Sequence, residues 1–322
     1  MDVTEYLLPK VIRATETEEA IYKGIEKNAD SWMSRRLGAS VIGNECLRAL
    51  WLGFRWAHKE IFQGRMLSLF GVGHWAEIRM AKYLSQAGME VSTINPETKK
   101  QWTYTFCEGH GVDKIDGAVL GVKEAMKTWH LWECKTSNDK GFKDMLKKGL
   151  RESKPVHFAQ VVVGMAQMTG VKKRGLYTME NKNDSTIYME RIRWEEGCAE
   201  EWKRIKERAK RVVFSPIPLT GISSTPTFFK CKFCDYSGVC FGEVRPLRNC
   251  RTCMHSTPMS GGEWVCEKDG GKKALKHGEM QKKKSCHRYI PSLLVGLEQV
   301  DVVDEGIVYK TVKGETWVDN GR

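Results

Sequence analysis

The sequence predicts a mixed α/β fold followed by a cysteine-rich, metal-bound C-terminal extension. Apolar residues recur at helical spacing near the N-terminus, and strand-like alternation begins at Gln101. Seven of the eleven cysteines lie between Cys231 and Cys286. With 322 residues, the chain is long enough for one large domain or two small ones.

The predicted elements alternate between helical and strand groups, which is the order that favours an α/β core. Apolar periodicity predicts helices over residues 16–27, 44–57, 73–87, 139–150, 155–168 and 194–214. Alternation bounded by turn residues predicts strands over residues 101–107, 111–122, 128–135, 174–179 and 185–191. A proline-containing linker at residues 215–227 leads into the cysteine-rich part.

The charge balance favours a polyanionic partner. Lys and Arg number 52 against 40 Asp and Glu, which gives a formal net charge of +12. Because neutralising phosphates releases condensed counterions, a basic protein of this size is a candidate for nucleic-acid binding. The basic runs at residues 143–151, 203–211 and 272–284 fit solvated surfaces equally well, so charge alone does not decide.

The sequence gives no sign of a membrane or secreted protein. No apolar run approaches the ~20 residues that span a bilayer, and the start of the chain, Met1 to Glu5, has no signal-peptide pattern. We therefore expect a cytoplasmic protein without membrane contacts. In that compartment thiols stay reduced, so clustered cysteines indicate metal binding rather than disulfides.

Charged side chains on two neighbouring predicted strands indicate a cation site. Asp116 precedes Gly117 on one strand, and Glu133 and Lys135 lie two residues apart on the next, where they share a face and Cys134 points away. Two carboxylates can hold Mg²⁺ through oxygen, and a nearby lysine can stabilise charge on a phosphate. The motif alone leaves a salt-bridged strand end on the surface as the alternative.

Two predicted helices bring further polar residues. His74 and Glu77 lie three residues apart, on one face of the helix before the strands. Gln160 lies in the helix that follows them.

Together these motifs resemble the RecB-like branch of the PD-(D/E)XK nuclease superfamily, especially the exonucleases of bacteriophages and their CRISPR-associated iron–sulfur relatives. The matching motifs are Gly71-x-Gly73-His74, Gly109-His110, Asp116-Gly117, Glu133-Cys134-Lys135-Thr136 and Pro155-x-His157-x-x-Gln160. The resemblance covers about residues 40–240. It implies a PD-(D/E)XK restriction-endonuclease-like core, a mixed sheet flanked by helices, over residues 64–214.

The resemblance implies a Mg²⁺- or Mn²⁺-dependent deoxyribonuclease site. Asp116 and Glu133 would be metal-binding carboxylates, and the backbone carbonyl of Cys134 would be a further ligand. Lys135 would be the catalytic lysine.

The same resemblance implies roles for the helical residues and one departure from the family. His74 would be a metal or phosphate ligand, and Gln160 would support the lysine and the DNA. Asp113 is the alternative to Asp116, which we prefer because Gly117 follows it, and Glu77 is a secondary candidate beside His74. Gly164 stands where the family usually has tyrosine, so the DNA contact of that position is not expected here.

The first cysteine set, Cys231-x2-Cys234-x5-Cys240, supplies three thiolates, one short of a four-coordinate site. The resemblance implies that Cys46, in the N-terminal helical region at residues 1–63, is the fourth ligand of a 4Fe–4S cluster. The alternative is that Cys46 is a core thiol and that the three tail cysteines bind zinc with His255 or another ligand.

The second set, Cys250-x2-Cys253-x12-Cys266-x19-Cys286, is typical of a structural zinc site. His255 or His287 could replace one of its cysteines. The expected organisation beyond the core is thus an iron–sulfur segment at residues 215–243 and a zinc-binding tail at residues 244–322. Cys107 and Cys198 have no partner at metal spacing.

The sequence therefore favours a DNA exonuclease that acts on linear DNA, at ends or on single strands. Its phage-like motifs imply phage DNA processing or recombination, with a phage recombination or replication protein as a partner. The alternative is a non-catalytic zinc or iron–sulfur nucleic-acid-binding protein, which explains the charge and the cysteines but not the constellation from His74 to Gln160. No flavin or nicotinamide motif supports a redox enzyme.

Overall fold

The structure is a computed structural model that describes residues 14–29, 33–282, 285–311 and 314–320. Met1 to Glu5, and the last two lysines of the basic run at residues 272–284, lie outside the described residues. No helix in the described ranges is both long and apolar enough to cross a membrane.

Helices and strands alternate along the chain. The α-helices of the described residues are α1 (Thr15–Lys27), α2 (Ala39–Ile42), α3 (Leu47–Phe54), α4 (Gly64–Gln86), α5 (Asp139–Ser153), α6 (Pro155–Gln167), α7 (Cys198–Phe214), α8 (Phe229–Lys232), α9 (Ser237–Cys240) and α10 (His277–Met280). The strands are β1 (Leu37–Gly38), β2 (Glu90–Ser92), β3 (Thr103–Phe106), β4 (Gly111–Lys114), β5 (Gly117–Leu120), β6 (His130–Ser137), β7 (Arg174–Asn181), β8 (Ile187–Arg193), β9 (Ser256–Met259), β10 (Glu263–Cys266), β11 (Lys273–Ala274), β12 (Leu297–Val303), β13 (Gly306–Thr311) and β14 (Thr316–Asp319). Short 3₁₀ helices cover Lys123–Ala125, Cys250–Thr252, Ser260–Gly262 and Pro291–Leu293.

The largest sheet has five strands in the order β2-β5-β6-β7-β8. β6 and β7 run parallel and the other neighbours run antiparallel, so the sheet is mixed. A smaller mixed sheet has the order β1-β4-β3, with β1 parallel to β4. The protein is therefore a mixed α/β structure with mixed sheets flanked by helices, as the sequence predicts at this level.

Helices cover both faces of the large sheet, and the side chains of β6 point alternately to one face and to the other. Trp132 and Cys134 point to one face and pack with Met80 and Leu84 of α4. Leu131 points to the other face, in the buried cluster that includes Val161 of α6. Glu133 and Lys135 share the face of Leu131, so they lie on the α6 side of the sheet.

Local signals explain where the helices beside this sheet begin. The Asn138 side chain caps α5 by accepting a hydrogen bond from the Gly141 backbone N–H at 2.9 Å. Pro155 stands in the first turn of α6, where its missing N–H costs nothing and its fixed φ suits a helix. α5 thus begins directly after β6, and α6 begins directly after α5.

Three predicted elements differ clearly from the structure. The helix predicted over residues 73–87 begins nine residues earlier, since α4 covers Gly64–Gln86. Residues 111–122 form two strands in different sheets, because the chain leaves the small sheet after β4 and enters the large one at β5. The helix predicted over residues 44–57 is shorter, and Trp56 beyond its end takes a left-handed conformation with φ of 56°.

The tail is continuous with the main core. Trp264, Leu275 and Met280 belong to the same buried cluster as Phe54 and Trp56. This part of the chain forms two antiparallel sheets, β11-β10-β9 and β12-β13-β14, which the sequence pattern did not predict.

Candidate metal-binding and catalytic site

Four charged residues meet where β4, β5 and β6 come together. Asp113 lies in β4, Asp116 lies just before β5, and Glu133 and Lys135 lie in β6. The β5–β6 register pairs Gly117 with Trp132, which sets Asp116 beside Glu133. Asp116 is held there because its Oδ2 accepts a hydrogen bond from the Cys134 backbone N–H at 2.7 Å.

Lys135 is the cation of the cluster. Its ammonium donates a close hydrogen bond to the Glu133 carboxylate and another, at 3.2 Å, to the Cys134 backbone carbonyl. Burial acts to lower the pKa of Lys135, but the negative charges of Glu133 and Asp116 raise it above its ordinary value. The lysine is therefore positively charged at neutral pH.

Two of the carboxylates are buried with oxygens that lack partners. Asp113 is 1% exposed, and neither of its oxygens has a hydrogen-bond partner among the described residues. Burial, reinforced by the charge of Asp116, raises the pKa of Asp113 to about 7. Burial also raises the pKa of Glu133 to about 8, although Lys135 acts to lower it, and Glu133 Oε2 likewise has no described partner.

This arrangement fits a hard divalent cation. An unpaired buried carboxylate is costly, and one lysine does not balance Asp113, Asp116 and Glu133. Carboxylate and carbonyl oxygens are the ligands that Mg²⁺ and Mn²⁺ take in proteins. The unpartnered oxygens of Asp113 and Glu133 are thus the places where a cation would relieve the cost of burial.

Helix α4 brings Glu77 to the edge of this cluster. Burial raises the pKa of Glu77, and the charge of Asp116 raises it further, whereas His74 and Lys135 act to lower it. His74 Nδ1 lies 3.9 Å from Glu77 Oε2, and the His74 side chain is 68% exposed. Glu77 therefore belongs to the edge of the cluster, and His74 stands at the surface beside it.

Helix α6 supplies the opposite wall. Gln160 is buried, and its Oε1 has no partner among the described residues. One turn later, a Cβ atom on Gly164 would overlap Leu131 and lie 2.9 Å from Asp113 Oδ2. Any larger side chain at this position would therefore collide with Leu131 and Asp113.

Two contacts around the site had no clear signal in the sequence. His157 Nδ1 lies 2.8 Å from the hydroxyl of Tyr177, a buried residue of β7. Arg79 of α4 donates to Glu180 of β7 at 2.6 Å. Partners so distant in sequence are fixed by the β6–β7 pairing and by the position of α4, not by a local motif.

The structure corrects two expectations about the motif. Glu133 and Lys135 lie within β6 and not at a strand end, and Glu133 is 1% exposed, so the surface salt-bridge alternative is wrong. Asp113 and Asp116 were treated as alternatives, but the structure places both carboxylates in the same cluster. The prediction that Cys134 points away from Glu133 and Lys135 is confirmed by its packing with Trp132.

The first cysteine set gathers at the start of α3. Cys46 is the N-cap of α3, and its Sγ accepts from the Ala49 backbone N–H at 3.5 Å. Burial raises the pKa of Cys231 and of Cys234, and the charge of Cys46 raises both further, so these thiols lie close together. Cys240 is linked to the same helix because Arg48 donates to its Sγ at 3.6 Å.

The second cysteine set lines one small cavity of about 20 Å³ in the tail. Its lining includes Cys250, Cys253, Cys266, Cys286, His255 and His287. Burial raises the pKa of Cys253, and the charges of Cys266 and Cys286 add to this effect. The eleven cysteines all lie in described residues, and no two of them form a disulfide.

Within residues 14–29, 33–282, 285–311 and 314–320, no group of three or more His, Cys, Asp or Glu side chains is arranged to hold a metal ion. The carboxylates and the two sets of thiols are gathered, but they do not converge on one point in these side-chain conformations.

The chain was compared with family models, curated proteins and solved structures. No family model matches the chain, and no curated protein matches it. One solved structure that matches, named "Crystal structure of SSO0001", has 13% sequence identity and a TM-score of 0.39, and the match covers 70% of this chain and 96% of that one. A likeness at this level carries no argument about fold or function.

Proposed function

We propose that the chain is a Mg²⁺- or Mn²⁺-dependent DNA exonuclease built on a PD-(D/E)XK core. The observation that carries the proposal is the clustering of Asp113, Asp116 and Glu133 near Lys135, with buried carboxylate oxygens left without partners. The family-like order of the motifs supports the same conclusion, and the preference for DNA ends rests on that resemblance.

The chemistry follows from the donor set. A bound Mg²⁺ or Mn²⁺ would polarise the scissile phosphate and lower the pKa of an attacking water. Asp116, Glu133 and the Cys134 carbonyl are the groups that would hold it, and Asp113 is placed to join them.

The remaining side chains position the substrate and stabilise charge. Lys135 is fixed between Glu133 and the Cys134 carbonyl, so its ammonium is preorganised beside the place where phosphate charge would develop. The amide of Gln160 lies on the same helix face as Gly164, next to Asp113, where it can orient the lysine or a phosphate oxygen.

The surfaces around the cluster suit a nucleic acid. Lys143, Lys147 and Lys148 are exposed on α5, which begins two residues after β6 ends. Trp75, next to His74, is 66% exposed, and an exposed aromatic ring can stack on an unpaired base. The net charge of +12 favours binding to the DNA backbone.

The proposal includes a 4Fe–4S cluster held by Cys46, Cys231, Cys234 and Cys240. Its support is that thiols from distant parts of the chain gather at α3, where the Ala49 amide and Arg48 donate hydrogen bonds to sulfur. Hydrogen bonds of this kind surround cluster sulfurs. By resemblance, we place the enzyme in phage DNA processing or recombination, in the host cytoplasm, with a recombination or replication protein as partner.

The direct test is a nuclease assay with end-labelled linear DNA and covalently closed circles, with and without Mg²⁺ or Mn²⁺. We expect metal-dependent loss of the linear substrate and survival of the circles. Glu124, which is exposed on the 3₁₀ helix Lys123–Ala125, provides a matched control for Glu133. Glu124→Gln should cleave like the unmodified protein, whereas Glu133→Gln should not.

Tight DNA binding without cleavage under all metal conditions would overturn the proposal. It would favour the non-catalytic nucleic-acid-binding protein instead.

A further inference from the structure

The tail contains a second candidate metal centre that the proposed nuclease chemistry does not use. Cys250 lies in the 3₁₀ helix Cys250–Thr252, Cys253 follows it, Cys266 ends β10 and Cys286 comes after α10. The four thiols line a cavity of about 20 Å³, which has room for a single small occupant. Four thiols around so small a space match a structural zinc site.

His287 is buried in the wall of the same cavity, so its imidazole could compete with one of these thiols for the metal. Its Nε2 lies 3.2 Å from Thr252 Oγ1, and the Thr252 hydroxyl donates its proton to the Leu247 carbonyl at 2.7 Å. His287 Nε2 therefore carries a proton and donates to Thr252. The imidazole thus holds the loop between Cys250 and Cys253 through Thr252. Its Nδ1 has no partner among the described residues, and a histidine held in this way could replace one thiol. Four cysteines already complete a tetrahedral shell, so the thiols are the ligands assigned here.

Arg251, between the first two cysteines, ties this loop to the N-terminal part of the core. Its guanidinium is buried, lies 3.8 Å from the ring centre of Trp56 and donates to the Phe54 carbonyl at 2.8 Å. A fixed Cys250–Cys253 loop therefore fixes the end of α3.

The β9–β10 hairpin ties the same loop to the strand that carries Asp113. His110 Nε2 donates to the Met259 carbonyl at 2.7 Å, and a Cβ atom on Gly262 would lie 2.6 Å from the Gly109 carbonyl oxygen. Gly109 and His110 directly precede β4. The hairpin thus presses against the chain that positions Asp113.

We propose that Cys250, Cys253, Cys266 and Cys286 bind one zinc ion, and that this zinc holds the β9–β10 hairpin as a brace for β4. By holding β4, the hairpin would fix the position of Asp113. The expected effect on the affinity of Asp113 for a divalent metal rests on the proposed function. The zinc site itself does not.

The zinc site is tested on the full chain, purified anaerobically under reducing conditions. Zinc X-ray absorption should show one zinc per chain with four sulfur neighbours at about 2.3 Å. Cys266→Ser should lose the zinc, and Cys107→Ser, whose thiol does not line the cavity, should keep it. A shell of three sulfurs and one nitrogen, iron in place of zinc, or no stoichiometric metal would overturn the assignment, even if Cys266→Ser does not fold.

The brace is tested by two glycines that share a backbone conformation. Gly262 and Gly270 both have φ of 77°, but only a Cβ on Gly262 would press on the Gly109 carbonyl, whereas a Cβ on Gly270 would meet nothing within 4 Å. Gly262→Ala should keep its zinc while amide exchange in β4 becomes about tenfold faster. Its affinity for Mn²⁺ should fall several-fold, and Gly270→Ala should change neither quantity.

Equal β4 exchange in the two variants would overturn the brace. If Gly262→Ala does not fold, Ser260→Ala replaces it, because Ser260 Oγ donates to Glu108 at the same junction at 2.7 Å. A protein that binds no Mn²⁺ at all would contradict the proposed nuclease, while zinc content and β4 exchange would still decide this inference.

Discussion

The carboxylate cluster and the two cysteine sets are held in place by different means. Asp113 and Glu133 lie on strands whose neighbours are fixed by regular hydrogen-bond ladders. Cys231 and Cys240 lie on helices of four residues, α8 and α9, which are too short to be stable alone. The carboxylate site is therefore expected to keep its shape without metal, whereas the cysteine segments are expected to depend on theirs.

The largest effect expected from this difference is that of Cys46→Ser. Anaerobically purified protein should be brown, with about four irons per chain, and the variant should lose the iron. Activity should disappear with it, because the segment from α8 to α9 would lose its link to α3. Iron analysis and the visible spectrum are the measurements.

Cys198→Ser is the matched control, since Cys198 is buried in α7 and its Sγ donates to the Arg193 carbonyl at 3.4 Å, a bond that serine can keep. A Cys46→Ser variant with its full iron content would refute the cluster assignment.

Glu133→Gln should instead remove activity and leave the structure in place. The amide keeps the shape of the side chain but loses the charge that holds a cation, so cleavage should fall by roughly 10²–10³-fold. The circular-dichroism spectrum and the iron content should be unchanged. Cleavage near the original rate would show that the cluster is not the active site.

Gly164→Ala should test how tightly the carboxylate site is packed. The added methyl would overlap Leu131 and crowd Asp113, so the free energy of unfolding should fall by about 1–3 kcal/mol. The matched control is Gly71→Ala, in α4, where a Cβ meets nothing within 4 Å and the change should be neutral or slightly stabilising. Chemical denaturation of both variants measures the difference, and equal effects would show that α6 does not press on Asp113.

The smallest expected effect is a pH dependence of stability without added divalent metal. Burial raises the pKa of Asp113 to about 7 and that of Glu133 to about 8. From about pH 4 to pH 8 these two carboxyls therefore bind more protons in the folded protein than in the unfolded chain, and their contribution to the free energy of unfolding falls as pH rises. Buried histidines with lowered pKa values, His157 and His287 among them, act in the opposite direction below about pH 6.5, so the carboxyl contribution is measured as the difference from a variant.

Asp113→Asn should flatten this slope up to about pH 7, because the amide does not titrate. Urea unfolding at several pH values would measure it. An unchanged slope in the variant would contradict the assignment of Asp113 as a buried carboxyl with a raised pKa.

Much of this site could be predicted from the sequence. Helical spacing located α4 and α6, and the spacing of Glu133 and Lys135 correctly placed both side chains on one face of β6. These features depend on local periodicity, which is visible in any single segment.

The rest depends on partners that are distant in the chain. Nothing local marks the break at Ile115 that sends β4 and β5 to different sheets. The sequence therefore offered Asp113 only as an alternative to Asp116 and not as a second member of one cluster. Its burial results from Gly164 of α6 and Leu131 of β6 closing over it. The strand β12 was missed because most of its side chains are exposed and give no alternating pattern.

The contact between Arg251 and Phe54 joins residues that are 197 positions apart. A ribosome makes about 5–20 residues per second, so α3 is synthesised roughly 10–40 s before the arginine that closes its end. Throughout that interval Phe54 and Trp56 lack Trp264, their partner in the buried cluster. Until the tail has been made, the emerging chain therefore exposes the apolar side chains that Trp264 later covers. During the same time the chain before β4 lacks its contact with the β9–β10 hairpin.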